Sequence, residues 1–147
     1  MDQPYRLDNL FAVASVQDQL PWQPFRPGIE IYPLTHNPAT GFQVALLRYQ
    51  PGATVPHHEH PGYEHILVLS GAQQDDRGQY PEGTLAINTP GSTHQVTSPE
   101  GCIVLIFWEK PVVIKESEKT HLMELGHQTN PHQSSQEQQP DAVGREG

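Results

Sequence analysis

Gly52-Ala-Thr-Val-Pro-His-His-Glu-His-Pro-Gly-Tyr-Glu64 packs imidazoles and carboxylates into one short run, and Pro90-Gly-Ser-Thr-His94 adds a further imidazole downstream. The spacing decides how these stretches fold. Side chains alternate faces along a β-strand, so His58 and His60 share one face and Glu59 takes the other. After a bend at Pro61-Gly62, an extended segment from Tyr63 to Ser70 sets Glu64 on one face with Ile66 and Val68. Gly71 is expected to stop that strand, and a hairpin from Gln73 to Gln79 to turn at Asp75-Asp-Arg-Gly78. A later strand, reached through Pro90-Gly91, then delivers His94 from the opposite side. His58, His60, Glu64 and His94 are thus the candidate ligands of one divalent metal. Only a folded β-structure brings their two segments together.

The donor types restrict the chemistry. Neutral imidazole suits zinc, copper, iron and nickel, and a single carboxylate also admits manganese. Zinc heads the expectation, with iron(II) and manganese(II) behind it. Three neutral nitrogens and one carboxylate leave a dication with a net charge near plus one and leave a coordination position open for water or substrate. His57 and His65 fall on the opposite parity and are read as non-ligands or, at most, as groups behind the ligands. His36, His121, His127 and His132 have no companion spacing, and Glu59 is read as solvated.

Length and charge set outer bounds. The chain of 147 residues fits one domain with tails and can enclose a core without disulfides. Eight basic against 17 acidic residues give a formal charge of −9, which repels nucleic acid and anionic membrane surfaces, so neither is an expected partner. No run approaches the ~20 apolar residues of a membrane span. Phe11-Ala-Val-Ala-Ser-Val16 follows acidic residues rather than a basic leader, and Cys102 stands alone. A cytoplasmic protein is expected, with Cys102 as a buried strand residue.

Composition divides the chain into an N-terminal extended arm (1–27), a β-barrel domain (28–115) and a C-terminal extension (116–147) that is expected to be largely disordered. Pro21, Pro24 and Pro27 forbid a helix at the end of the arm, whose Trp22 and Phe25 are expected to clasp the domain. Strands are expected at Ile29–Leu34, Phe42–Tyr49, Tyr63–Leu69, near Gln79-Tyr80, and at Thr84–Asn88, His94–Thr97 and Cys102–Glu109, separated by turn residues. That pattern predicts an all-β fold, a sandwich or barrel. Ile66-Leu-Val-Leu69 and Ile103-Val-Leu-Ile-Phe-Trp108 are apolar on both faces, so a second sheet or a partner subunit must cover the outer one. A homodimer is the expectation.

Gly52, His58, His60, Glu64 and Gly71 stand at the separations of the first cupin motif, and Gly83, Gly91 and His94 resemble the second. Pro90 stands directly before Gly91 instead of two places before it, and Ser98 replaces the usual Asn. Neither is a ligand position. More narrowly, Pro56–Glu64, Asp75–Tyr80, Pro90–His94 and Glu100-Gly-Cys102 resemble the zinc-binding cupin domain of ChrR-type anti-sigma factors, a subfamily that includes enzymes similar to acetylacetone-cleaving dioxygenases. The resemblance covers roughly Trp22 to Pro111. It implies a single cupin jelly-roll β-barrel with the metal inside its mouth. It does not carry over the anti-sigma function, which belongs to a separate helical domain not seen in this sequence.

Two functions follow. One is a stand-alone metal-binding cupin that binds or senses a small molecule. The alternative is an iron-dependent dioxygenase cleaving a diketone or aromatic ketone. Both use His58, His60, Glu64 and His94, and both place Ile66, Val68 and Leu85 around a small ligand, with Tyr63 or Tyr80 near the rim; plain barrel core is the bland reading of the same residues. A purely structural metal ranks below both, because the set contains no cysteine.

Overall fold

The computed structural model of the chain describes residues 3–115. Ten strands carry the fold: β1 (Gln23–Arg26), β2 (Ile29–His36), β3 (Gln43–Tyr49), β4 (Ala53–Glu59), β5 (Glu64–Asp75), β6 (Gly78–Pro81), β7 (Leu85–Asn88), β8 (Thr93–Ser98), β9 (Cys102–Trp108) and β10 (Val113–Ile114). All pairings are antiparallel. One sheet runs β1-β2-β3-β9-β5, with β7 on the far side of β5; the other runs β10-β4-β8-β5, with β6 beside β5. The fold is all-β, a jelly roll in which both sheets curl around one apolar interior. No helix among the described residues is long and apolar enough to cross a membrane.

Strand β5 belongs to both sheets, and Gly71 makes that possible. Its first part pairs with β9 from Glu64 to Gly71, and its last part, Ala72–Asp75, pairs with β6. The expectation that Gly71 ends the strand is corrected: the chain bends there and continues. Gly71 has φ 73°, and a Cβ placed on it would collide with the carbonyl oxygen of Gly101. The pairing slips just before it, between Val68 and Ser70, so the bulge falls at Leu69, and the left-handed Gly71 in close approach to Gly101 lets the strand turn without ending. The hairpin itself forms where the sequence puts it, closed by the Asp75–Gly78 pair.

The apolar interior includes Ile31, Leu47, Ile66, Val68, Val104 and Ile106. The outer faces of β3, β5 and β9 present Leu46, Leu69 and Ile103, and their cover is the N-terminal segment. Ahead of its prolines this segment forms short helical turns at Leu10–Ala12, Val13–Val16 and Gln17–Gln19, so it is not extended throughout. Such short turns are not stable alone, and packing fixes them: Val13 is buried against Leu46, Leu69 and Ile103, with Leu10 and Leu20 beside it. Burying a side chain of that size contributes about 1.5–3 kcal/mol. Trp22 anchors the segment by donating from Nε1 to the Gln17 carbonyl at 2.8 Å and stacking under Arg48 at 4.8 Å. Past it, Gln23–Arg26 joins the sheet as an edge strand, a position that tolerates Pro24. Residues 116–147, expected to be largely disordered, lie outside the described residues.

Candidate metal centre

Register brings the four predicted side chains together. β4 pairs with β8 so that His58 faces His94 directly, with a bulge between Val55 and His58. His60 follows immediately after β4, and Glu64 is the first residue of β5. All four are buried, at 5% exposure or less. The three imidazole centroids lie 4.6–5.0 Å apart, and one ligand-type atom from each of the four residues falls within 4.8 Å of all the others.

The hydrogen bonds around the cluster fix its tautomers. His58 Nδ1 donates to the Pro56 carbonyl at 2.8 Å. His60 Nδ1 meets the Ser92 carbonyl and hydroxyl at 3.1 and 3.0 Å, and His94 Nδ1 donates to the Asp75 carboxylate at 2.9 Å. With the protons on Nδ1, each Nε2 presents a lone pair to the centre. Nε2 of His60 and of His94 are buried and have no hydrogen-bond partner. His60 Nε2 also lies 3.3 Å from Glu64 Oε1. A lone pair facing a carboxylate in a dry interior is unfavourable unless a cation lies between them. The residues therefore fit a divalent metal, and all four can ligate it.

Protonation agrees with that role. Burial raises the Glu64 pKa, but positive charge on the His60 side and the hydrogen bond from the Trp108 indole outweigh it and hold the carboxyl below its ordinary value; a cation between His60 and Glu64 would act in the same direction while leaving the His60 lone pair free. Trp108 Nε1 donates to Oε2 at 2.7 Å and Asn88 Nδ2 to Oε1 at 3.0 Å, which orients the carboxylate. Burial lowers the His58 pKa, leaving the neutral ring that a metal requires. Behind His94, Asp75 is shielded from solvent; burial raises its pKa, but bonds from His94, the Arg77 amide and the Tyr80 hydroxyl pull it below the ordinary range. A carboxylate behind a ligating imidazole aligns the ring and strengthens its donor atom.

The remaining candidates separate cleanly. His57 is exposed, His65 stands on the outer face 6.1 Å from Tyr63, and Glu59 pairs with Lys115 at 2.7 Å. His36 is exposed, while His121, His127 and His132 lie outside the described residues. Cys102 is buried, and burial pushes its thiol up to about 11, so it holds no thiolate.

The expected ligand pocket needs correction. Ile66 is in its wall, but Leu85 is 55% exposed and lies with Tyr63 in an outer groove beside Phe42 and Phe107. Strand alternation explains the exchange: Leu85 pairs with Leu67, which points away from the interior that Ile66 and Val68 fill. Tyr80 spends its hydroxyl on Asp75 at 3.0 Å. The cavity beside the metal ligands has a volume of about 30 Å³, and its walls include Phe25, Arg26, Tyr49, Trp108 and Val112. Phe25 sits 6.2 Å from the Trp108 ring. Asp75, Asn88, Ser92 and Trp108 carry the support of the site, and the ligand spacing points to none of them.

Fold and site together define a cupin barrel holding a buried three-histidine, one-glutamate group able to bind a metal. The chain belongs to the ChrR cupin-like domain family, whose model matches residues 12–112. Solved structures support the fold. A cupin-like protein of unknown function from Ralstonia eutropha JMP134 is 26% identical with a TM-score of 0.59, covering 62% of this chain and 60% of its own. The chain thus spans about 60% of that relative's length. An acetylacetone dioxygenase from Acinetobacter johnsonii is 14% identical with a TM-score of 0.63, covering 80% of both chains. A chain of the complex between Rhodobacter sphaeroides SigE and the anti-sigma ChrR is 23% identical with a TM-score of 0.55, covering 73% of this chain and 70% of that one. No curated protein matches the chain.

Proposed function

We propose that this protein is a divalent-metal cupin in which His58, His60, Glu64 and His94 hold the ion, and that the metal keeps a position open to a small oxygen-donor molecule which the protein binds or senses. The buried, partnerless Nε2 atoms of His60 and His94 facing Glu64 carry the reading. Zinc heads the list of ions, since it takes this nitrogen and carboxylate set without redox chemistry; iron(II) and manganese(II) accept the same donors. A metal so held supplies a Lewis-acid position for an oxygen donor. The protein's own groups do the rest: Asp75 and Ser92 hold the imidazoles in one tautomer, Trp108 and Asn88 aim the carboxylate, and Phe25 with Trp108 limits water at the mouth.

The small cavity favours binding over cleavage of a diketone. About 30 Å³ holds roughly two waters. Elemental analysis of the protein purified without added metal, followed by oxygen-uptake assays with β-diketones and aromatic ketones, tests the choice. About one zinc per chain and no uptake is expected; iron with oxygen uptake would replace this reading by a dioxygenase.

Pairing of two copies is part of the same proposal. Phe42, Tyr63, Leu85, Ile87 and Phe107 are 38–55% exposed on the outer face beside β7, next to the area that the N-terminal segment covers. A neighbouring apolar surface of this kind suits a second copy of the chain. Light scattering is expected to give a dimer at micromolar concentration, and a monomer would remove this part. The lone, buried Cys102 suits a reducing cytoplasmic setting.

A further inference from the structure

We infer that the metal's open position takes a small carboxylate, with one oxygen on the ion and the other on the Arg26 guanidinium; the inference rests on the metal-binding reading above. Arg26 shares the walls of the small cavity with His58, Glu64 and His94. Its charge is unused. Among the described residues Arg6 meets Asp8 at 3.3 Å, Arg48 meets Glu30 at 2.8 Å and Arg77 donates to the Thr93 carbonyl at 3.2 Å, whereas Arg26 has neither a carboxylate nor a hydrogen-bond partner. What holds it is the adjacent Phe25 ring, 5.3 Å from the guanidinium carbon.

The backbone shows how Arg26 reaches the cavity. Neighbours in a regular strand point to opposite faces, yet Phe25 and Arg26 both line the same cavity. The pairing of β1 with β2 slips between Pro24 and Arg26, a bulge that re-aims one side chain. An unpaired guanidinium is thereby brought to the mouth of a metal site.

Charge selects the class of ligand. A dication, the Glu64 and Asp75 carboxylates, neutral imidazoles and Arg26 sum to about plus one, so an anion is favoured over a neutral ketone or amide. Guanidinium pairs with a planar carboxylate in matched geometry. The other cavity walls, among them Phe25, Trp108 and Val112, are largely apolar, and beyond the Tyr49 hydroxyl they offer few of the extra donors that a phosphate needs. The cavity also limits the body of the ligand to a few atoms.

The test uses the metal-loaded full-length chain, with acetate and its neutral analogue acetamide as probes, followed by calorimetry. Acetate should bind and acetamide should bind at least about tenfold more weakly, because the charged hydrogen bond to Arg26 is lost. Arg26→Gln should weaken acetate by about tenfold or more with metal content and melting temperature unchanged, and Arg26→Lys should restore part of the loss. Equal binding of acetate and acetamide, or acetate binding that ignores Arg26→Gln, overturns the inference while leaving the metal site standing. A wild-type chain that holds no metal overturns both.

Discussion

Inside the histidine cluster the Nε2 atoms of His60 and His94 make no hydrogen bond, whereas around its outside every Nδ1 meets an oxygen, from Pro56, Ser92 or Asp75. The same rings are thus satisfied on one side and left open on the other. A buried polar network built only for packing would leave no such asymmetry, because an unsatisfied buried nitrogen costs about 1–3 kcal/mol. The outer bonds fix where the lone pairs point, and the inner vacancy of partners defines where a cation fits.

Substitutions can break this contrast in graded steps. Largest is loss of an inner donor: His60→Ala or His94→Ala should abolish stoichiometric metal in elemental analysis, exceeding the roughly 10–100-fold loss expected when only an outer partner is removed. Next comes Asp75→Asn, which keeps the shape but removes the anion behind His94; chelator competition should show metal affinity reduced by roughly 10–100-fold. Ser92→Ala should cost less than about tenfold in the same assay, since the Ser92 carbonyl still accepts from His60 Nδ1 at 3.1 Å. His57→Ala and His65→Ala, which lie on the wrong faces, should leave metal content unchanged. If all these variants lose metal equally, the division into an inner and an outer side is wrong.

Much of the inner side was legible in the sequence. A period of two puts His58 and His60 on one face whatever the details of the fold, and it excludes His57, Glu59 and His65 by the same rule. The outer side was not legible, because its contacts depend on register between distant strands. Asn88 and Trp108 reach Glu64 across separations of 24 and 44 residues. Asp75 reads as a hairpin residue and does occupy that place, but only the continued course of β5 past Gly71 brings it behind His94. A glycine of positive φ reads the same whether it stops a strand or bends it; the approach of Gly101 decides. The helical turns at Leu10–Gln19 were hidden for another reason: they are too short to show a period and are fixed by the Leu46, Leu69 and Ile103 surface they cover.

X-ray absorption at the edge of whichever metal copurifies with the full-length chain examines the centre most directly. Three imidazole nitrogens at about 2.0–2.1 Å and a carboxylate oxygen at about 2.0–2.2 Å are expected if the ion is zinc, with no sulfur neighbour. A shell with fewer than three imidazoles, or one containing sulfur, would contradict this expectation.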